Sequence, residues 1–263
     1  VALYTVNNGS VVNAADVNQF TNLLNGTTTN TSVTVANRIR AQLTGATTGT
    51  GGYTGQVAGA PPGSGTFLTG DVVTDGSLGT VWVCSNGGSP GSWNAVPTQI
   101  ATQTLISAAA SVTFSSIPAF NHISVTWKTR ATDNNAAEQL YLRFNGDTAS
   151  HYLWENNQAN NAGAVSGATS AGLVGQIQIA TIPANSATSG FFGAGQFTVP
   201  YFNDSTNFAA VSGTASAFAT VTNMWSGTYS GMYNQAVTLT SLTVFAATSN
   251  LAIGSRFSLY GWM

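Results

Sequence analysis

Residues 122–130 read His-Ile-Ser-Val-Thr-Trp-Lys-Thr-Arg. Ile123, Val125 and Trp127 fall on one side of an extended chain, with Ser124, Thr126 and Lys128 on the other. This period of two predicts a half-buried β-strand. The pattern recurs at Leu140, Leu142 and Phe144, which alternate with Tyr141 and Arg143. Asn145-Gly146-Asp147 follows, a turn signal that predicts a hairpin cap between two strands. Further on, Val237, Leu239, Ser241, Thr243 and Phe245 alternate with Thr238, Thr240, Leu242 and Val244. Apolar residues on both sides there predict burial on both faces, one by the strand's own sheet and one by a partner. Similar reading predicts strands at Ser111–Phe114, His122–Arg130, Glu138–Phe144, His151–Glu155, Gly172–Ile182, Phe191–Phe202, Phe208–Ala219, Ala236–Ala246 and Arg256–Trp262. Many short strands divided by turns predict a jelly-roll-like β-sandwich over 98–263.

Composition points the same way. Asp, Glu, Lys and Arg make up only 5% of the 263 residues, against roughly 25% in ordinary soluble domains. The surface must therefore be covered by Ser, Thr, Asn, Gln and Gly. With 43% hydrophobic and 10% aromatic residues, the chain carries enough apolar surface for a packed core and departs from the disordered class. Six basic residues are scattered along the chain and the net charge is −2, so no electrostatic footprint for nucleic acid exists. No run reaches the roughly 18 apolar residues of a membrane helix. Val1–Val6 lacks the basic and apolar regions of a signal peptide. An extracellular-looking composition without such a leader fits a virion component released by lysis.

The N-terminal third divides differently. Residues 1–26 read as an N-terminal anchor. Val1–Val12 contains a short strand and turn, and Asn13 caps a helix that Gly26 ends. Val17, Phe20, Leu23 and Leu24 lie on one face of that helix and are the candidate assembly stripe, too short to be stable alone. Residues 27–65 are rich in Gly, Thr and Pro and read as an extended arm. Residues 66–97 read as a small β module: Phe67, Val72 and Val73, a turn near Asp75-Gly76, and a return strand at Val81–Cys84. Trp82 and Trp93 are expected to pack on each other. Cys84 is the only cysteine; no intrachain disulfide exists, and no basic partner lies near it, so it reads as a small buried hydrophobe.

Candidate chemistry is sparse. Asp147, His151 and Glu155 lie close in sequence, but no His-x-x-x-His or Cys-x-x-Cys spacing accompanies them. There is no Gly-x-Ser-x-Gly elbow and no phosphate-cradling glycine loop ending in Lys-Ser or Lys-Thr. Neither a metal nor a cofactor is expected. Eight acidic residues in the whole chain weigh against a polysaccharide depolymerase, which gathers carboxylates in a groove. Arg130 and Arg143 are expected to pair with Glu138 or Asp133. Tyr152, Trp154, Trp225, Tyr229 and Tyr233 are placed near loops. Their rings suit either host sugars or a subunit interface, and interfaces are enriched in Tyr and Trp.

The motif order Ile117-Pro-Ala-Phe120, the Ile123–Arg130 strand, Leu140-Tyr-Leu-Arg-Phe-Asn-Gly-Asp147, Pro200-Tyr201 and Gly254-Ser-Arg-Phe-Ser-Leu-Tyr-Gly261 resembles the C-terminal domain of bacteriophage minor tail and tail-fibre proteins. Gly70-Asp71-Val-Val, Trp82-Val-Cys84, Pro90-Gly91 and Trp93 are similar to a small module common in the same proteins. The chain departs from the family at Asn160–Thr198, which is Ala/Gly/Ser-rich where the family is more charged. The resemblance implies a homotrimer on the virion surface, in contact with other virion proteins of tail or capsid; the lack of catalytic groups points to a non-enzyme, and the aromatics leave host cell-surface glycan as a further candidate partner. The alternative it leaves open is a capsid decoration or head-fibre protein held through its N-terminus.

Overall fold

The computed structural model describes residues 4–5, 11–12, 54–57, 61–64, 66–75, 79–160 and 164–262. The predicted helix of 13–26, with Val17, Phe20, Leu23 and Leu24, lies outside the described residues. Every regular element among the described residues is a β-strand, as low charge, abundant Thr and many aromatics favour. The chain divides between Ala95 and Val96 into two compact units.

In the first unit, β1 (Tyr4–Thr5) pairs antiparallel with β2 (Val11–Val12). A second sheet has the order β3-β4-β5-β6, formed by Thr54–Val57, Val72–Asp75, Val81–Asn86 and Ser92–Val96. β3 falls inside the stretch read as an arm and pairs parallel with β4. Phe67, Val73 and Cys84 form the small core. Trp93 packs edge-on against Phe67, with centroids 5.0 Å apart. The ring contact of Trp93 is thus with Phe67 where Trp82 is expected, and the β4–β5 register sets Trp82 opposite Val73. Cys84 is fully buried, its Sγ donates to the Asn86 carbonyl at 3.3 Å, and burial pushes its thiol pKa up.

The second unit holds twelve strands: β7 (Thr98–Thr104), β8 (Ser111–Phe114), β9 (His122–Thr129), β10 (Ala137–Phe144), β11 (Tyr152–Asn160), β12 (Val165–Thr169), β13 (Ile177–Pro183), β14 (Gly193–Pro200), β15 (Ala209–Thr220), β16 (Asn223–Tyr233), β17 (Leu242–Ala246) and β18 (Arg256–Trp262). They form a four-stranded sheet, order β13-β10-β17-β8, and an eight-stranded sheet, order β12-β11-β16-β15-β14-β9-β18-β7. Among the described residues these strands pair antiparallel. The sequential strands β7, β8, β9 and β10 change sheet at every step, as do β13 and β14 and again β17 and β18. The hairpins β11–β12 and β15–β16 extend the large sheet past β14.

The predicted alternation positions the core. Ile123, Val125 and Trp127 of β9, Phe257 and Leu259 of β18, and Phe197 and Val199 of β14 are buried from the large sheet. Leu140, Leu142 and Phe144 of β10, and Leu242 and Val244 of β17, are buried from the small one. Each such side chain contributes about 1.5–3 kcal/mol of transfer free energy. β13 packs against β14, β15 and β16 of the other sheet and is buried along nearly its whole length. Glycines permit that approach. A Cβ on Gly231 of β16 would lie 2.5 Å from Ile177 Cγ2 of β13.

Three strands of this unit escaped the sequence reading. β7 and β12 are polar, and β16 covers residues read as a loop. The predicted strand at Ala236–Ala246 shortens to Leu242–Ala246. Asn145, at φ 49°, and Gly146, at φ 68°, form the expected turn. That turn joins strands of different sheets, β10 to β11, and is therefore a crossover and not a hairpin cap. The Asn145 side chain pins the returning segment, accepting from Thr240 N at 2.9 Å and donating to Thr238 O at 2.9 Å.

Candidate functional site

The crossover leads into a polar and aromatic node. Asp147 Oδ2 lies 2.7 Å from His151 Nδ1 and accepts from the Tyr233 hydroxyl at 2.9 Å. Its Oδ1 accepts from Ala149 N at 2.8 Å. The hydrogen bond with His151 is the chief reason its carboxyl titrates below the usual range. Tyr152 stacks on Tyr233 with centroids 4.7 Å apart, and its hydroxyl bonds the backbone of Phe144. Donors from within the fold thus engage both carboxylate oxygens, which makes the node a structural cap. Glu155 does not join it; the register sets Glu155 opposite Ser230, on the exposed side of β11. Among the described residues no group of three or more His, Cys, Asp or Glu side chains is placed to hold a metal.

The five candidate aromatics all sit on two paired strands, β11 and β16, where loops were expected. The register matches Tyr152 with Tyr233. Tyr152, Tyr229 and Tyr233 are buried, at 0%, 4% and 3% exposure, so their rings serve the core. The Tyr229 hydroxyl accepts within it from Thr181 N at 3.0 Å. Trp154 and Trp225 are half-buried. The strand was missed because Gly227 and Gly231 stand at inward positions and erase the apolar alternation.

Burial holds these phenols protonated. It raises the Tyr152 pKa to about 12 and pushes Tyr229 and Tyr233 up as well, Tyr233 further because Asp147 accepts its proton. An unfolded tyrosine titrates near 10. Folded values above that mean stabilisation fully present below pH ~10 and lost as pH rises through the folded values. Urea midpoints measured from pH 8 to 12 should fall steeply above pH ~10, and Tyr233→Phe should flatten part of the fall. Asp147 acts in the opposite sense. Its lowered pKa gives stability above the usual carboxylate range that is lost as pH falls through the folded value.

The exposed face of the large sheet offers a different surface. Reading straight across the strands, Thr126, Gln196, Thr214, Thr228 and Asn157 stand side by side, with the buried Ser258 next to Thr126. The adjacent row holds Ser124, Thr198, Ser212, Ser230 and Glu155. Depressions of about 360 and 420 Å³ run along these rows, lined by Gln196, Ser212, Thr214 and Ser216. Cross-strand hydroxyl contacts knit the surface, such as Thr102 Oγ1 to Ser258 Oγ at 2.6 Å. Small hydroxyls and amides make hydrogen bonds in either direction. The arrangement is chemically suited to recognition and contact.

The predicted ion pairs take another form. Arg130 is buried and donates to the carbonyls of Asn185, Ala187, Thr188 and Phe191. Arg143 donates to Gly175 O and Gln176 Oε1 and lies over the Phe245 ring. Glu138 is buried and accepts from Thr248 and Ser249. Backbone groups and hydroxyls replace opposite charges as partners, as so few charges in the chain require. No protein-family model, curated protein or solved structure matches the chain.

Proposed function

We propose that this chain is a non-enzymatic structural protein of a bacteriophage virion, a tail-fibre or minor tail protein that acts in host attachment as a homotrimer. The observation that carries the reading is the strand order of the second unit. Within the large sheet it contains β14-β9-β18-β7, and the small sheet is β13-β10-β17-β8. In that set of eight, consecutive strands alternate between sheets except β10 and β13, which pair within the small sheet, and this order supports a jelly roll built from two Greek keys. The motifs that resemble tail and fibre proteins form interior strands of this arrangement, β10 and β18. The outer face, mostly Ser, Thr, Asn and Gln with Glu155, Lys128 and Arg256 as its few charges, also supports self-assembly. A face with so few charges offers little like-charge repulsion to another copy of the chain.

Two measurements test the reading. Light scattering of the purified protein should give a mass three times that of the 26.9 kDa chain; a monomer would overturn the trimer. Gold-labelled antibody against the chain should decorate the tail of intact virions. Label spread over the head would instead assign it to capsid decoration.

A further inference from the structure

The outer face of the large sheet ends in an aromatic cluster that the attachment reading does not use. His122 begins β9, Trp262 ends β18, and Tyr201 follows β14 directly. The registers Trp262↔His122 and Pro200↔His122 set the three next to each other. The His122 ring lies 5.3 Å from Tyr201 and 5.6 Å from Trp262, centroid to centroid. Tyr201 is 67% exposed and has φ +52°. A bulky L-residue rarely adopts that conformation, and such residues persist where their surroundings over-determine them.

The surroundings here do so. Phe202 is fully buried, and its N–H bonds the Asn121 carbonyl at 2.7 Å. Tyr201 O accepts from Asp204 N at 2.9 Å. The Asp204 carboxylate accepts from Thr206 N, Thr206 Oγ1 and the Asn207 side chain, each at 2.7 Å. A turn at φ +52° needs only Gly or Asn. Tyrosine adds a large ring held outward on a rigid backbone.

We propose that His122, Tyr201 and Trp262 form a binding subsite for a neutral sugar ring. Aromatic faces receive the C–H face of a pyranose. The imidazole of His122 and the hydroxyl of Ser124, two residues along the same face and about 7 Å away by strand geometry, supply hydrogen bonds to sugar hydroxyls. The one carboxylate in the turn, Asp204, is engaged by its own loop. The exposed cations Lys128 and Arg256 lie six residues along β9 and β18, roughly 20 Å distant, so neither Lys nor Arg stands at the subsite to select an acidic sugar. Three partly covered rings also present far less than the roughly 800 Å² per partner of a stable protein interface, which favours a small ligand. The proposal deepens the attachment reading, on which only the cellular source of the sugar rests.

The test applies purified full-length protein to an immobilised panel of neutral and of uronic- or sialic-acid-containing oligosaccharides, then titrates the strongest neutral binder by calorimetry. The parent should retain neutral glycans. Tyr201→Ala and Trp262→Ala should each weaken binding about tenfold or more, and Tyr201→Phe should stay within about threefold, since the ring face carries the contact. Tyr201→Gly relieves the backbone conformation; it should melt no earlier than the parent yet lose binding as Tyr201→Ala does. Absence of any neutral binder, binding restricted to acidic glycans, or full binding by Tyr201→Ala would overturn the subsite. None of these outcomes alters the virion labelling or the oligomer mass, so the two readings fail separately.

Discussion

Replacing Arg130 with methionine is expected to lower the unfolding free energy of the Val96–Met263 unit by about 3–5 kcal/mol. Arg130 follows the last residue of β9 and is 9% exposed. Its Nη1 donates to Thr188 O at 2.7 Å and Phe191 O at 3.2 Å; its Nη2 donates to Asn185 O at 3.0 Å and Ala187 O at 2.6 Å. These four carbonyls belong to the segment joining β13 to β14, the link between the small and large sheets. Methionine keeps most of the apolar stem and removes the donors, leaving the carbonyls to find new partners. Each buried group left unsatisfied costs about 1–3 kcal/mol, and partial relaxation toward water keeps the total below the sum. Arg130→Lys should recover only part of the loss, because an ammonium offers a point charge with three donors in place of a planar fork. Guanidinium titration of the parent and both variants checks this. A loss below 1 kcal/mol for Arg130→Met would show that the segment is held by other contacts.

Arg130 also marks where sequence reading runs out. A buried arginine ordinarily implies a carboxylate, and Glu138 and Asp133 were the obvious partners. The fold instead solvates the guanidinium with carbonyls from residues more than fifty positions away, a relation that no local pattern encodes. Strands whose inward positions are large and apolar were legible. Ser111–Phe114 and Arg256–Trp262 match β8 and β18 end to end, and β9 and β10 differ by one residue at one end. β16 was not legible, because the space that side chains fill elsewhere is taken above Gly231 by Ile177 of the other sheet and above Gly227 by Asn157 and Gln158 of the adjacent strand β11. The aromatics Tyr152, Tyr229 and Tyr233 were visible as residues, but their burial depends on that same strand. The hydroxyl rows of the outer face and the His122–Tyr201–Trp262 cluster come from register between strands far apart in sequence. Pro200-Tyr201 was noticed only as part of a motif; a tyrosine at left-handed φ leaves no mark in the sequence.

Gly195→Ala should be the most damaging single methyl addition in the large sheet, lowering stability by about 2–3 kcal/mol. Gly195 of β14 stands opposite Trp127 of β9. Trp127 is 4% exposed, and its indole lies over the glycine so closely that a Cβ there would overlap Trp127 Cζ2. The same Cβ would lie 2.6 Å from Thr214 O on β15. One neighbour is a buried ring wedged between sheets and the other is backbone, so neither yields by rotating a flexible tip. Overpacking of this kind forces side chains off their rotamers or moves a strand. Gly63→Ala is the control: nothing lies within 4 Å of a Cβ at that position, and the change should stay within about 0.5 kcal/mol. A double-mutant cycle separates the ring from the carbonyl. In a Trp127→Leu background the indole overlap is gone, and Gly195→Ala should lose less stability than it does in the parent. Equal losses in both backgrounds would place the strain on the Thr214 carbonyl and the β14–β15 pairing. A loss no greater than that of Gly63→Ala would mean that Trp127 leaves the core at little cost and that Gly195 serves another purpose.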